Sequence, residues 1–101
     1  MAKLLDEIHP GAILLEDFMK PMGITAQRLA ADMDVAPSRI SDIINGKRPI
    51  TADTALRLGL FFGMEAHFWL HLQSEYDIRI AARAKQKQLQ ARVRPLRHNL
   101  A

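Results

Sequence analysis

Apolar residues recur along this chain at spacings of three and four, and no alternating run is long enough to suggest a strand, so the pattern predicts an all-α protein. His9-Pro10-Gly11 opens a first helix, with Pro10 tolerated in its first turn. Ile13, Leu14 and Phe18 fall on one face before Lys20-Pro21-Met22-Gly23 stops it, which places that helix at about 10 to 20. Thr25 is a good N-cap for a second, short helix at about 25 to 33, with Leu29, Ala30 and Met33 as its apolar face. After Asp34-Val35-Ala36, Pro37 starts a third helix that carries Ile40, Ile43 and Ile44 and ends at Asn45-Gly46. Thr51 caps a fourth helix with Asp53 in its first turn, and Ala55, Leu56, Leu58, Leu60, Phe61 and Phe62 make it apolar on more than one side. It is expected to be the central buried helix. Gly63 ends it, and a fifth helix begins near Glu65 with Phe68, Trp69, Leu72, Tyr76 and Ile80 down one flank.

Two short helices joined by a three-residue turn, the second opening on Pro and small polar residues, form the pattern of a helix-turn-helix at about 25 to 45. Ala30 is the small residue where the two helices meet, Val35 plugs the turn into the core, and Ile40 and Ile44 anchor the second helix. With the isoleucines turned inward, the helical period turns Ser38, Arg39, Ser41, Asp42 and Asn45 outward. Arg39 offers two donors to guanine O6 and N7 and is the expected main base reader. Asp42 can accept from a cytosine amino group, and Ser38, Ser41 and Asn45 can hold phosphates or base edges. Gln27, near the start of the second helix, and Lys47 and Arg48, just past the third, are placed to touch the DNA backbone. The competing reading of these polar residues is the solvated outer face of an ordinary helical bundle.

Composition bounds the rest. The chain has 101 residues, 49% hydrophobic and 25% charged, which suits one globular domain and leaves no room for two. It contains no Cys, so disulfides, thiolate nucleophiles and Cys-based metal sites are excluded. The N-terminal MAKLLDEIHPG has no apolar segment with a small-residue cleavage site, and no run approaches a membrane span, so a cytoplasmic protein with no membrane partner is expected. Charge is unevenly spread: residues 1–78 hold 7 Lys and Arg against 11 Asp and Glu, net −4, whereas residues 79–101 hold 7 basic residues and no acid, net +7. The terminal stretch has helix-favouring Ala, Gln and Lys and then Pro95, so helix giving way to disorder is expected there. It is either a phosphate-seeking or acidic-partner-seeking arm or a solvated terminus. The organisation expected is an N-terminal arm at 1–9, a DNA-binding domain at 10–83 and a basic C-terminal extension at 84–101.

An enzyme would have to rest on His67, His71 and Glu75, which at i, i+4, i+8 lie along one helix face. The stretch lacks the Glu that follows the first His in H-E-x-x-H metalloproteases, and three ligands in one row suit tetrahedral zinc poorly. No glycine-rich loop is available to cradle phosphate. No catalytic activity, metal or cofactor is expected.

Three segments together resemble the HigA-type antitoxins, the virulence-associated protein I-like members of the Xre group of helix-turn-helix regulators. HPGAILLEDFMKPMGIT resembles the opening helix of that family, RLAADMDVAPSRISDIINGKRPITADTALRL its DNA-binding unit and next helix, and FFGMEAHFWLHLQSEYDIR its closing signature. The resemblance spans about residues 9 to 79. It implies a compact five-helix lambda-repressor-like fold in a homodimer that binds a palindromic operator in its own promoter. It also implies a partner, a HigB-type toxin of the RelE-like mRNA-cleaving kind. Two positions depart from the family pattern: Ala26 stands where many members carry Gln, and Asp34 where many carry Gly. Asp tolerates a left-handed turn conformation better than most non-Gly residues, so the second change spares the fold. Two reading heads about 34 Å apart gain the affinity that one lacks, so a dimer is expected. Its expected surface is the fifth helix with Phe68, Trp69, Leu72 and Tyr76, residues that core packing against the first and fourth helices would also explain. The chain has no long acidic disordered segment to wrap a toxin, which leaves the folded domain, the stretch from Met1 to His9 or the tail for that task. An orphan repressor without a toxin, or an interaction module that has lost DNA binding, stays open as an alternative.

Overall fold

The computed structural model describes residues 8–96, and among these it contains five helices and no strand. The first, α1, is composite: Pro10–Ile13 is α-helical, Leu14–Met19 is wound as a π-helix, and Lys20–Met22 returns to α. It therefore passes through Pro21 and ends at Gly23, whose φ of 66° reverses the chain. The wider π turn sits just ahead of Pro21, whose ring would collide with the carbonyl four residues back in a regular α-helix. Helix α2 spans Ala26–Met33, α3 Pro37–Ile44, α4 Ala52–Phe62 and α5 Ala66–Arg92. The caps follow the sequence: Thr25 accepts from the Arg28 N–H and Thr51 from the Thr54 N–H, each satisfying an orphan donor of its helix.

The core gathers one face from every helix. Leu14 and Met19 of α1, Leu29 and Ala30 of α2, Ile40 and Ile43 of α3, and Ala55 and Leu58 of α4 close around Trp69 of α5, all of them buried. Trp69 sits in an aromatic cluster, 4.9 Å from Phe18 and 5.0 Å from Phe68 between ring centroids. Helix α4 packs along α5, and α2 packs against α3.

Three expectations need correction. Helix α4 is not buried on all sides, because Leu56 and Leu60 are 60% and 85% exposed. Ile80 does not continue the packed flank of α5 but is exposed. The fifth helix also runs without a break through the boundary expected at residues 83 and 84, reaching Arg92 before Val93 turns extended. Its 27 residues span about 40 Å. That length stretches the molecule to a radius of gyration of 17.2 Å, against about 13 Å for an ordinary domain of this size. The expected arm at 1–9 and the end of the tail fall largely outside the described residues, which begin at Ile8 and end at Leu96.

Candidate nucleic-acid interface

The helix-turn-helix is built by backbone geometry. Asp34 adopts φ 58°, the left-handed turn conformation that its short side chain tolerates, and the Val35 N–H returns to the Ala30 carbonyl at 3.0 Å. This turn lays α3 across α2 with fully buried Ala30 at their junction. No side chain caps α3 at Ala36, and Pro37 supplies its first turn instead. Ile40 and Ile43 are fully buried, while Ile44 is only half-buried at the edge of the core.

The residues expected to meet DNA are found in three conditions. Gln27, Ser38, Asn45 and Lys47 are exposed. Ser41 is half-buried, and its hydroxyl donates to the Ser38 carbonyl at 3.4 Å. Arg39, Asp42 and Arg48 are engaged in ion pairs: Arg39 Nη1 lies 2.6 Å from Asp53 Oδ2, and Arg48 Nη2 lies 3.2 Å from Asp42 Oδ2. Arg39 thus points toward α4. Exposed pairs of this kind are weak and screened by salt, so a guanine edge or a phosphate can compete for the guanidinium.

Sequence reasoning missed the residue that organises this corner, Arg57. Its Nε donates to Asp53 Oδ2 at 2.9 Å, and its Nη1 donates to the carbonyls of Met33 and Asp34 at 2.8 and 3.1 Å. Arg57 therefore caps the end of α2 and, through Asp53, tethers Arg39. The hydrogen bonds from Arg57 and then Arg39 hold the Asp53 carboxyl below its ordinary pKa. The Asp53–Arg57 spacing of four residues on a helix was the available signal. Between α3 and the start of α4 these groups line an open hollow of about 420 Å³ with three guanidiniums, Arg39, Arg48 and Arg57, around the N-terminus of α4. Donors and positive charge at a helix N-terminus favour an anion such as a backbone phosphate.

The residues expected at a dimer surface divide. Trp69 is fully buried in the core of its own chain, so it has no surface to give a second copy and is withdrawn from that set. Phe68 is 37% exposed, and Leu72 and Tyr76 are half-buried, with the Tyr76 ring set edge-on to His9 at 5.0 Å. His67 and His71 stand 6.1 Å apart between ring centroids, and among the described residues no three His, Asp or Glu side chains converge on a metal position. No helix among these residues is long and apolar enough to cross a membrane.

The helix-turn-helix family model matches residues 15–69, which includes the whole of α2, α3 and α4. Virulence-associated protein I of Dichelobacter nodosus is 52% identical over 79 residues, covering 78% of this chain and 73% of that protein. The Pseudomonas aeruginosa antitoxin HigA, solved with the higBA promoter, is 40% identical with a TM-score of 0.86, covering 90% of this chain and 99% of its own. An addiction module antidote protein of the HigA family from Coxiella burnetii is 43% identical with a TM-score of 0.84, covering 89% and 98%. The match thus takes in the reading unit and most of α5, and the chain belongs to the helix-turn-helix family, in the group of HigA antitoxins and virulence-associated protein I.

Proposed function

We propose that this protein is the antitoxin of a type II toxin-antitoxin module: a cytoplasmic homodimer that represses its own promoter by binding a palindromic operator and that binds and neutralises a HigB/RelE-like toxin. The observation that carries the DNA half is the α3 face, where exposed Ser38, Asn45 and Lys47 flank Arg39 and Arg48 beside the α4 N-terminus. This is the surface that a recognition helix lays in the major groove, with cations placed for the phosphates on either side. A structurally similar HigA was solved with its promoter, which supports the same use here. Phe68, Leu72 and Tyr76 remain the proposed dimer flank on α5, and the protein acts without catalysis, metal or cofactor.

The test joins two measurements on the full chain. Titration of the duplex upstream of its own gene reports operator binding, and recovery of the tagged protein from its native host at moderate salt, with mass spectrometry, reports a stoichiometric partner. A co-eluting protein of about a hundred residues that arrests growth when expressed alone supports the antitoxin reading. Operator binding with no such partner would identify an orphan repressor, and no binding to the promoter would remove the DNA half.

A further inference from the structure

Two short signatures in the sequence, His9-Pro10-Gly11 and Leu72-Gln73 followed by Tyr76-Asp77, lie more than sixty residues apart and have no part in the DNA-facing set. In the fold they meet behind the C-terminal end of α3. Gly11 lies so close to α3 that a Cβ there would overlap the Ile43 carbonyl oxygen. The His9 ring caps α1 by accepting from the Gly11 N–H at 2.9 Å, packs edge-on against Tyr76, and lies beside Gly46, the left-handed residue at which the chain leaves α3.

From Gly46 the chain carries Lys47 and Arg48 across the surface and dives inward at Ile50, which is 2% exposed. The Ile50 N–H is buried at the mouth of α4 and has no helical carbonyl to bond. Gln73 supplies the acceptor: its Oε1 takes the Ile50 N–H at 2.8 Å, and its Nε2 donates to Asp77 Oδ1 at 2.9 Å, which fixes which end of the amide faces the loop. Gln73 is 6% exposed and, among the described residues, one of two buried polar side chains, the other being Thr54 beside the α4 cap. An apolar side chain would fill its space and leave the Ile50 N–H unsatisfied, so the amide is present for the bond rather than for bulk.

We propose that Gln73 is a positioning residue for operator binding: from α5 it anchors the end of the loop that presents Lys47 and Arg48 to the DNA backbone, and Asp77 sets its orientation. The proposal rests on the operator-binding reading above. It gives the late signature a task in recognition although no part of it faces DNA.

The test uses the full chain and the duplex of its own promoter, with affinity measured across a salt series. Gln73→Met removes both bonds while keeping an apolar body of similar length. Operator affinity is expected to fall roughly ten-fold, and the slope of log affinity against log salt to flatten by about 0.9 for each phosphate no longer neutralised. In a Lys47→Ala background the same substitution is expected to lose part of its effect, because Lys47 is one of the two cations that Gln73 is proposed to position. Gln73→Glu keeps the acceptor for Ile50 but sets a carboxylate against Asp77, and the added Asp77→Asn reverses the donor and acceptor of that pair and should restore binding and slope. A purely structural role for Gln73 would lower melting temperature without moving the slope. Folded Gln73→Met with wild-type affinity and slope overturns the inference. Should Gln73→Met not fold, failure of Asp77→Asn to rescue Gln73→Glu overturns it equally. A folded wild-type chain that does not bind the promoter removes the operator reading and this inference with it.

Discussion

The two halves of α5 are one continuous helix held by different forces. From Ala66 to Asp77 it is a tertiary element: Trp69 and Gln73 are buried, Leu70 and Leu72 lean on the core, and Tyr76 meets His9. From Ile78 onward it leaves the body. Ile78 and Leu89 are 68% and 47% exposed and lie with Ala82 along one stripe of the helix, which Val93, 62% exposed, continues just past its end. The first half is helical because packing fixes it. The second is helical because Ala, Gln, Lys and Arg favour helix and an existing helix extends without a new nucleus. Charge divides at the same place, since every charged residue from Arg79 onward is basic whereas the body is net acidic. Packing in the first half bears on stability and on the pose of α3, whereas the exposed apolar residues of the second half are presented outward.

The largest test of that division is a matched truncation in each half. Trp69→Ala should cost about 3–5 kcal/mol in denaturant unfolding, through the burial it forfeits and the cavity left among the aromatic rings. Leu89→Ala should change the same measurement by no more than about 0.5 kcal/mol, as expected of an exposed site. The comparison breaks if Leu89→Ala is costly, and protein concentration then says why. A penalty that grows as the protein becomes more concentrated would mean that the stripe is buried against a second copy, extending the dimer surface proposed for Phe68, Leu72 and Tyr76.

What the sequence disclosed follows the same line. Helix limits were readable wherever a side chain caps or breaks the backbone, as at Thr25, Thr51, Gly23 and Gly63, because those signals act within a turn. The inward Ile40 and Ile43 were readable from the helical period, and the left-handed turn at Asp34 only through the family resemblance. The burial of Trp69, the exposure of Leu56 and Leu60 and the end of α5 at Arg92 were not, because each depends on which other helix arrives. Amphipathic periodicity names a face but not its neighbour. Within the interface the outward residues of α3 were legible from the helical period alone. The tether from Arg39 through Asp53 to Arg57 was legible only in its Asp53–Arg57 step within one helix, since Arg39 is 14 residues from Asp53 and reaches it only through the packing of α3 beside α4. Gln73 and Arg57 go furthest, bonding backbone groups 23 and 24 residues away.

A smaller effect is expected on removing the second half itself. A chain ending at Arg79 keeps every core residue among those described and loses the interaction that Arg83 makes, so its unfolding midpoint in denaturant should fall only slightly below that of the full protein. If the basic helix touches operator phosphates, the slope of log affinity against log salt should flatten by about 0.9 for each phosphate it had neutralised. An unchanged slope would assign that helix to a protein partner instead of the operator, and a large loss of stability would contradict its independence from the core.

The smallest expected effect is a pH dependence confined to the first half. Burial pushes the His9 pKa below its ordinary 6.5, with the nearby Asp77 carboxylate opposing that shift. The neutral ring is the form the fold uses, because Nδ1 must accept the Gly11 N–H. The unfolded chain therefore binds the proton more readily than the folded one, and stability rises with pH between the two pKa values. The contribution of His9 is fully present above 6.5 and is lost as pH falls through that value toward the lower folded one. His9→Asn supplies a cap that does not titrate, so its melting temperature should drop less than that of the wild type between pH 7.5 and 5.5. The chain ending at Arg79 keeps His9 together with Gly11, Tyr76 and Asp77, the groups it meets, so it should show the same His9 response as the full chain. A response that vanished with the truncation would place the titrating group beyond Arg79, where His98 lies, and the assignment to His9 would fall.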